Sequence, residues 1–393
     1  MVAFAYRLEI GTERAKGGFG MTQNGRNNQK LTCIDLFAGC GGLSLGLEMA
    51  GFKPLLFSEI NHFAASTYMA NRKGSGIYPV GDVHSLTDAN IQQLKVFWKH
   101  EGVEDIDLVC GGPPCQGYSG IGHRRSFNIE KQDIPSNHLF YEMVRVIDQV
   151  KPKMFLFENV RGLLNSRWTK DGDKGEIFED VLSTFDELEN YAVRWQLVHA
   201  KDYGVPQSRP RVLMVGVRRD VLPPAIWNPL ACIPNRKQDA VECGLLPKGG
   251  TAPPDIIDLL SDLVDEDYLG KKETTIYPLG PQSKIQTWLR TERDGKLMRK
   301  GSTLVEQEYS NHAPYIREKF QHMIDNDGEI PEKYKTKKFA QRVLPERWTE
   351  KGPNITATSI EVDYVHYCQP RTPTVREWAR LQTFPDWYKF EGP

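Results

Sequence analysis

The chain has 393 residues, a formal net charge of −1 and 39% hydrophobic residues. Its length predicts two domains, and its seven irregularly spaced cysteines, with no Cys-x-x-Cys pair, argue against a disulfide framework and a structural zinc site. Neither an apolar run of about 18 residues nor a signal-peptide pattern is present, so we expect a cytoplasmic protein without a membrane partner.

Short apolar segments alternate with amphipathic ones from residue 31 to residue 220. Residues 1–30, rich in Gly, Asn, Gln and Arg, predict a flexible N-terminal arm. Strands are predicted at residues 32–37, 54–58, 106–110, 154–157 and 211–217, and helices at 43–51, 64–71, 138–150 and 177–188. This alternation predicts an α/β fold with a doubly wound, mostly parallel sheet that is covered on both faces.

The composition changes after residue 220, where prolines cluster and the periodicity weakens. Residues 284–300 hold six Lys or Arg against two acidic residues, and residues 332–351 hold seven against three. We therefore expect a first domain over residues 31–220 and a smaller, irregular second domain over residues 221–368. Residues 369–393 return to helix-like spacing, and we expect them to pack back on the first domain.

A glycine-rich turn at residues 39–42 follows the first strand. Such a turn lets a ligand approach the backbone and presents helix N–H groups to it. Glu59 lies 20 positions beyond Gly39, at the end of the next strand, where a carboxylate can bind ribose hydroxyls. Asp82, after a further strand, could bind an adenine amino group. The turn has no third glycine and no basic cluster, which favours a nucleoside cofactor without phosphates over a dinucleotide; a tight turn with no ligand is the alternative.

Cys115 follows a predicted buried strand, Leu108 to Cys110, and a Gly-Gly-Pro-Pro turn. The glycines and prolines end the strand and fix the turn. A thiol on a rigid loop at the carboxyl end of a strand lies where open α/β sheets keep their chemistry, so Cys115 is a candidate nucleophile. The alternative is a cysteine that packs as a small apolar side chain.

Three charged residues follow at other strand ends. Glu158 ends the predicted strand at residues 154–157, where a carboxylate either caps a turn or serves a site. Arg209 and Arg211 enter the last predicted strand two positions apart, so they point the same way. They suggest contacts with an anion or a base, and a solvated basic edge is the alternative.

Five segments, in this order, resemble the motifs of DNA cytosine-5 methyltransferases of the bacterial restriction–modification type. They are Asp-Leu-Phe-Ala-Gly-Cys-Gly-Gly at 35–42, Pro-Pro-Cys-Gln at 113–116, Glu-Asn-Val at 158–160, Gln-Ser-Arg-Pro-Arg at 207–211 and Arg-Glu-Trp-Ala-Arg-Leu-Gln-Thr-Phe-Pro-Asp at 376–386. The resemblance covers residues 31 to 390. It implies the S-adenosylmethionine-dependent methyltransferase fold, with a target-recognition domain at 221–368.

The resemblance also implies a reaction. Cys115 would attack carbon 6 of a cytosine in double-stranded DNA, so that carbon 5 can accept a methyl group. Glu158 would hold ring nitrogen 3, and Arg211, with Arg209 behind it, would stabilise the carbonyl side of the base. The cytosine must be flipped out of the duplex to reach the thiol. We expect a monomer acting on DNA at the bacterial nucleoid.

The motif positions imply two sets of ligand contacts. For S-adenosylmethionine, with S-adenosylhomocysteine as product, they are Phe37, Gly39, Gly41, Glu59, Ile60, Asp82, Val83, Pro113 and Leu139. For DNA they are Gln116, Ser119, Arg124, Arg125, Ile355 and Thr356. The loop after Cys115 would close over DNA with Arg124 or Arg125 on a phosphate; a mobile surface loop is the alternative.

Members of the family continue past the Phe-Pro-Asp segment into a Gly-Asn-x-Val-Pro motif, which the sequence to Pro393 does not contain. We therefore expect a missing segment or a second chain to complete the cofactor pocket. Three other functions are alternatives: a tRNA cytosine-5 methyltransferase of the same fold, a non-catalytic DNA-binding homologue, and a nucleotide-dependent oxidoreductase. The long variable region favours DNA, and the presence of both Cys115 and Glu158 favours catalysis.

Overall fold

The computed structural model describes residues 30–114, 131–222, 238–335, 341–350, 352–353 and 363–392. These residues form two compact units. The first takes in residues up to 198, residues 210–249 and residues 391–393, and the second takes in residues 199–209 and 250–390. The predicted N-terminal arm lies outside the described residues.

Seven strands and five helices form the described part of the first unit. The strands are β1 (Leu31–Leu36), β2 (Phe52–Ser58), β3 (Tyr78–Val80), β4 (Leu108–Gly111), β5 (Met154–Val160), β6 (Tyr191–His199) and β7 (Pro210–Arg218). The helices are α1 (Gly42–Met49), α2 (His62–Ala70), α3 (Asp88–His100), α4 (Leu139–Val150) and α5 (Glu176–Asp186). The predicted α/β fold is confirmed, and β6 and α3 are elements that the prediction missed.

The strands form one sheet in the order β3-β2-β1-β4-β5-β7-β6. β1 to β5 pair in parallel, whereas β7 runs antiparallel to β5. The order reverses direction at β1, which pairs with β2 on one side and β4 on the other. In open α/β sheets a ligand crevice lies outside the carboxyl ends of the strands at such a point.

The strand register brings several loops to the same edge of the sheet. Leu36, at the end of β1, pairs with Ser58 of β2 and with Gly111 of β4. Gly111 in turn pairs with Phe157 of β5. Leu36, Gly111 and Phe157 are thus aligned across the sheet. The glycine-rich turn and the Gly-Gly-Pro-Pro turn begin, and Glu158 lies, within about three residues of this row, at the same edge.

Helix packing completes the core of this unit. α4 buries Phe140, Met143, Val146, Ile147 and Val150, which recur at the spacing of one helix face. Within the sheet, a Cβ at Gly216 would lie 1.9 Å from the Phe155 ring, so that ring occupies the space a side chain would need. In the described part of the chain, every helix is too short or too polar to cross a bilayer.

The second unit contains little regular structure. Its described helices are α6 (Ile256–Leu260), α7 (Lys284–Leu289), α8 (Pro314–Asp325) and α9 (Val375–Leu381), and its two short strands are β8 (Arg342–Val343) and β9 (Tyr364–Val365). β8 and β9 pair in parallel as a sheet of their own. An irregular second domain was expected on the basis of the weak periodicity.

The boundaries of the units differ from the expected ones at three places. Residues 199–209 group with the second unit, residues 238–249 with the first, and residues 369–390 with the second. The position of residues 369–390 has a clear cause, because Arg380 of α9 donates to both oxygens of Asp262 and both oxygens of Asp386. Arg290 of α7 also donates to Asp262, at 2.9 Å. These charges are fully buried, so α9 belongs to the interior of the second unit rather than to a segment that only packs back on the first.

Candidate active site

The turn after β1 has an unusual backbone. Phe37 has a φ of 57°, which is uncommon for a bulky residue, and Gly39 and Gly41 have φ values of 56° and 85°. Two contacts with β2 hold Phe37 and Ala38: the Phe37 N–H donates to Ser58 Oγ at 3.2 Å, and the Ala38 N–H donates to the Ser58 carbonyl at 2.9 Å. A Cβ at Gly39 would meet nothing within 4 Å, so this turn faces open space.

Glu59 is joined to this turn by hydrogen bonds. Its Oε2 accepts from the Gly39 N–H at 2.8 Å, and its Oε1 accepts from the Asn61 N–H at 2.7 Å. Each carboxylate oxygen has a second lone pair that can accept from a ligand. The neighbouring Ile60 is 77% exposed, which is a high value for an apolar side chain beside a polar turn. Glu59 thus both fixes the turn and remains available to hydroxyl groups.

Asp82 and Val83 follow β3 at the same edge of the sheet. The Asp82 carboxylate accepts hydrogen bonds from the backbone and the ring of His84, at 3.0 and 2.8 Å, and these bonds hold its pKa below the usual value. Val83 is buried in the core, whereas Asp82 is exposed. A Cβ at Gly81 would also meet open space.

These residues fit a nucleoside. The open surface at Gly39 and Gly81 leaves room for a ligand next to the backbone, and the carboxylates of Glu59 and Asp82 can accept from hydroxyl and amino groups. α1 begins at Gly42, and its N-cap residue Gly41 supplies no side-chain cap, so its first N–H groups can receive a carboxylate. The donors and acceptors expected for S-adenosylmethionine are therefore present.

A buried group beneath the turn was not predicted as part of the site. Asp35 of β1 is completely buried, and its Oδ2 accepts from Ser44 Oγ at 2.6 Å. Ser44 Oγ also lies 2.8 Å from the Tyr68 hydroxyl of α2. Burial raises the pKa of Asp35 to about 6, against the lowering effect of the Ser44 hydrogen bond. Because Asp35 precedes the glycine turn and Ser44 follows it, this pair fixes both ends of the turn.

The glycines at the end of β4 allow two close approaches. A Cβ at Gly111 would lie 2.8 Å from the Leu36 carbonyl oxygen, so a side chain there would collide with β1. A Cβ at Gly112 would lie 3.0 Å from Oε2 of Glu158. The Gly-Gly-Pro-Pro turn is further fixed by Asn159, whose Nδ2 donates to the Pro113 carbonyl at 3.2 Å. The turn that leads to Cys115 is therefore packed directly against the Glu158 carboxylate.

Glu158 is also held from the opposite side. Arg211 Nε donates to Glu158 Oε1 at 2.6 Å, and Arg211 Nη1 donates to the Pro210 carbonyl at 2.9 Å. The Glu158 side chain is 33% exposed and that of Arg211 is 19% exposed. One carboxylate oxygen thus contacts Arg211, and the other lies beside Gly112 at an accessible edge of the sheet.

A family model described as C-5 cytosine-specific DNA methylase matches residues 31–393. The chain belongs to this family. The match includes the glycine turn, the Gly-Gly-Pro-Pro-Cys segment, Glu158 and Arg211, so the resemblance predicted from five motifs is confirmed. Its enzyme class is that of the DNA (cytosine-5)-methyltransferases of type II restriction–modification systems.

Curated relatives are similar over most of their length. The type II methyltransferase M.DdeI of Desulfomicrobium norvegicum is 30% identical over 377 residues, which cover 92% of this chain and 80% of the relative. M1.HphI of Haemophilus parahaemolyticus is 31% identical over 366 residues, again 92% of this chain and 80% of the relative. A crystal structure described as a DNA modification methyltransferase from an E. coli prophage has a TM-score of 0.62 and 25% identity, and the match covers 92% of this chain and 90% of that one.

The predicted site is only partly within the described residues. The structure brings together Glu158, Arg211 and the turn that ends at Pro114, and it places Phe37, Gly39 and Glu59 in one hydrogen-bonded loop system. Leu139 begins α4 and is partly buried against the core, next to the buried Phe140. The other predicted residues, Cys115, Gln116, Ser119, Arg124, Arg125, Ile355 and Thr356, lie outside the described part of the chain.

The two predicted arginines are in different units. Arg211 lies in β7 of the first unit and contacts Glu158, as described above. Arg209 lies in the second unit, where its N–H donates to the Gln207 carbonyl at 3.1 Å and its carbonyl accepts from Ala200 N–H at 3.2 Å. The catalytic role of Arg209 remains a prediction.

Proposed function

We propose that this chain transfers a methyl group to carbon 5 of a cytosine that is flipped out of duplex DNA, through a covalent adduct with Cys115. One observation carries the proposal: Glu158 is held between Arg211 and Gly112, and Cys115 is the third residue after Gly112. A carboxylate with a paired guanidinium thus lies next to the turn that leads to the thiol of the Pro-Pro-Cys-Gln motif.

The proposed chemistry starts with the thiolate of Cys115. Its addition to carbon 6 forms a carbon–sulfur bond and moves electron density to carbon 5 and ring nitrogen 3. Glu158, which takes up a proton before the addition, passes it to nitrogen 3, so negative charge does not build up in the ring. After carbon 5 has accepted the methyl group, a base removes its proton, the carbon–sulfur bond breaks and nitrogen 3 returns its proton.

Arg211 has two tasks in this scheme. Its Nε holds the Glu158 carboxylate, and its remaining N–H groups can donate to the carbonyl oxygen of the base. Because the guanidinium is planar and rigid, one side chain can fix the catalytic carboxylate and the substrate together. A catalytic role for Arg209 is proposed from the motif alone.

S-adenosylmethionine supplies the methyl group as a sulfonium, which carbon 5 can attack. The turn at Gly39 and Gly41 would receive its methionine part, Glu59 its ribose hydroxyls and Asp82 its adenine amino group. The remaining proposed contacts are Phe37, Ile60, Val83, Pro113 and Leu139. The open surface at Gly39 and the hydrogen bonds that already fix Glu59 support this assignment.

Duplex DNA is the proposed substrate. A cytosine in the base stack cannot present carbon 6 to a thiol, so the target nucleotide must rotate out of the helix. Target recognition is assigned to the second unit, with Ile355 and Thr356 as contacts, and DNA contacts are also proposed for Gln116, Ser119, Arg124 and Arg125. The relatives named as type II methyltransferases support DNA over tRNA.

The test is a trapping experiment in two steps. Bisulfite sequencing of DNA from cells that express the chain gives the methylated sequence, which is then synthesised with 5-fluorocytosine at the target. Fluorine cannot leave as a proton does, so the adduct with the wild-type chain should persist on a denaturing gel. Cys115→Ser should give no adduct, and Glu158→Gln should form it about 100-fold more slowly.

Two outcomes would contradict the proposal. An adduct that survives in Cys115→Ser would exclude this residue as the nucleophile. Tritium from labelled S-adenosylmethionine that enters tRNA but not DNA, with both offered side by side, would replace DNA with tRNA as the substrate.

A further inference from the structure

The second unit contains a cleft of about 320 Å³ that is separate from the residues assigned to catalysis. It is lined by residues 268–272 and 309–312, by Arg317 of α8, and by Pro370 and Arg371. Four of these lining residues are Lys or Arg, and none is Asp or Glu. The cleft therefore presents positive charge.

Three of the four cationic side chains form ion pairs with carboxylates that do not line the cleft. Lys271 Nζ lies 2.7 Å from Asp265, and Lys272, at the exposed rim, lies 3.6 Å from Glu308. Arg371 forms a two-pronged pair with Glu377, at 2.8 and 2.6 Å. Arg317 is different, because it has no ion pair among the described residues. The net positive charge of the cleft is thus that of Arg317.

Tyr268, another residue of the lining, has an unused donor. Only 9% of this residue is exposed, yet its hydroxyl has no hydrogen-bond partner in the described structure. Burial raises the pKa of Tyr268, so the hydroxyl keeps its proton and can donate. A buried hydroxyl without a partner is unfavourable, which makes it a sign of a ligand that supplies the acceptor.

The aromatic rings of the cleft are covered by protein. The Tyr268 and Tyr309 rings meet edge to face at 5.5 Å, and the Arg371 guanidinium lies 4.9 Å from the Tyr309 ring centre. The Tyr309 hydroxyl is bonded to Thr274 at 2.7 Å. Because these side chains already contact one another, the cleft is better suited to a compact acceptor than to a stacked base.

We infer that this cleft binds a phosphate group through the Arg317 guanidinium and the Tyr268 hydroxyl, with Lys272 at its rim. A guanidinium and a neutral hydroxyl donor together complement a tetrahedral anion, whose oxygens accept several hydrogen bonds. The expected source is a phosphate of the DNA backbone, and this part rests on the proposed function. Such a contact would fix the position of DNA on the second unit without reading its sequence.

The experiment uses the full chain and three variants: Arg317→Gln, Tyr268→Phe and, as a charge-matched control in the first unit, Lys99→Gln. Fluorescence anisotropy with a labelled duplex is measured over a series of NaCl concentrations. Arg317→Gln should lower affinity at low salt about tenfold and reduce the slope of log K against log salt by about 1. Tyr268→Phe should lower affinity about threefold with little change in slope, and Lys99→Gln should match the wild type.

A second measurement detects the site without DNA. Sodium phosphate, compared with NaCl at equal ionic strength, should raise the Tm of the wild-type chain more than that of Arg317→Gln, in which only the general stabilising effect of phosphate remains. Without phosphate, Tyr268→Phe should be at least as stable as the wild type, because the hydroxyl that it lacks has no partner in the protein.

The two measurements separate the sources of phosphate. If both cleft variants bind DNA differently from the wild type, the phosphate that occupies the cleft belongs to the DNA backbone. If the variants respond differently to sodium phosphate but bind DNA as the wild type does, the ligand is free phosphate instead. DNA binding and phosphate response that match the wild type in both variants would overturn the inference. Adduct formation with 5-fluorocytosine DNA at saturating concentration should be normal in both variants, so a failure of the proposed catalytic function is seen separately.

Discussion

Arg211 Nε donates to Glu158 Oε1 at 2.6 Å across two antiparallel strands, although these residues are not directly opposite each other. Glu158 pairs with Leu213, and Arg211 lies two positions before Leu213. The two side chains are therefore diagonal neighbours on one face of the sheet, a separation that a long arginine can bridge. The antiparallel direction of β7 brings its beginning to the edge where β5 ends, and this places the guanidinium in the site.

The first prediction concerns the shape of the Arg211 side chain. Arg211→Lys keeps the charge but loses the planar group that can hold Glu158 and a second acceptor together. We expect kcat for methyl transfer to fall about 100-fold, with duplex affinity and Tm close to those of the wild type. The assay is transfer of tritium from labelled S-adenosylmethionine to DNA.

Arg218→Lys is the matched control, because Arg218 lies in the same strand and pairs with Asp220 and Asp105 away from Glu158. It should leave kcat unchanged. Equal losses in the two variants would mean that the Arg211 effect is a general effect of changing β7.

The second prediction tests the packing of the β4 turn against Glu158. The Cβ introduced by Gly112→Ala would lie 3.0 Å from Glu158 Oε2, which is tight enough to displace the carboxylate by a few tenths of an ångström. We expect a fall in kcat of about tenfold, since small displacements of a catalytic group are costly, and only a small change in Tm. Gly280→Ala, where a Cβ meets nothing within 4 Å, should change neither. Full activity of Gly112→Ala would show that the position of Glu158 is not critical.

The third prediction concerns the link between Glu59 and the glycine turn. Glu59→Ala removes the acceptor of both the Gly39 and the Asn61 N–H groups, whereas Glu59→Gln keeps one oxygen. Titration calorimetry should show that the Kd for S-adenosylmethionine rises about 100-fold for the alanine variant and about tenfold for the glutamine variant. Glu104→Gln, at an exposed position of the same unit, is the control. Unchanged affinity in Glu59→Ala would remove this carboxylate from the cofactor site.

The sequence predicted most of the sheet that positions the site. The strands at β1, β2, β4, β5 and β7 are apolar runs that end at glycine or charged residues, and such ends are visible in sequence. β6 was missed because it alternates and contains Arg194, a fully buried arginine that pairs with Asp239 at 3.1 Å. α3 was missed because it buries only Ile91 and Trp98 and exposes Val96 and Phe97, which obscures its apolar face.

The candidate site was predicted as a set of residues but not as an arrangement. The motifs indicated Glu158 and Arg211, whereas the diagonal contact depends on strand register, which sequence spacing does not give. The grouping of α9 with the second unit was missed for another reason. It depends on the buried charges of Arg380, Asp262 and Asp386, and hydrophobic patterning treats such residues as exposed.

The last prediction concerns Asp35, the buried carboxyl beneath the glycine turn. Its surroundings are Ser44, which donates to it, and Cys110, Tyr68 and Arg72 on the neighbouring elements. Burial raises its pKa from 3.8 to about 6 in the folded chain, so the folded state binds this proton more tightly than the unfolded state does. Stability from this group is therefore fully present below about pH 4 and is lost as the pH rises through about 6.

Asp35→Asn removes this titration and keeps an oxygen that can accept from Ser44. Two pKa units correspond to about 3 kcal/mol, so the free energy of unfolding of the wild type, relative to that of the variant, should fall by about this amount between about pH 4 and about pH 7. Urea unfolding at several pH values measures the difference, and Asp171→Asn, at an exposed position, should run parallel to the wild type. Parallel curves for Asp35→Asn and the wild type would show that Asp35 is ionised in the folded chain as it is in the unfolded one. In that case the Asp35–Ser44 pair would hold the glycine turn as an ionic hydrogen bond above about pH 4.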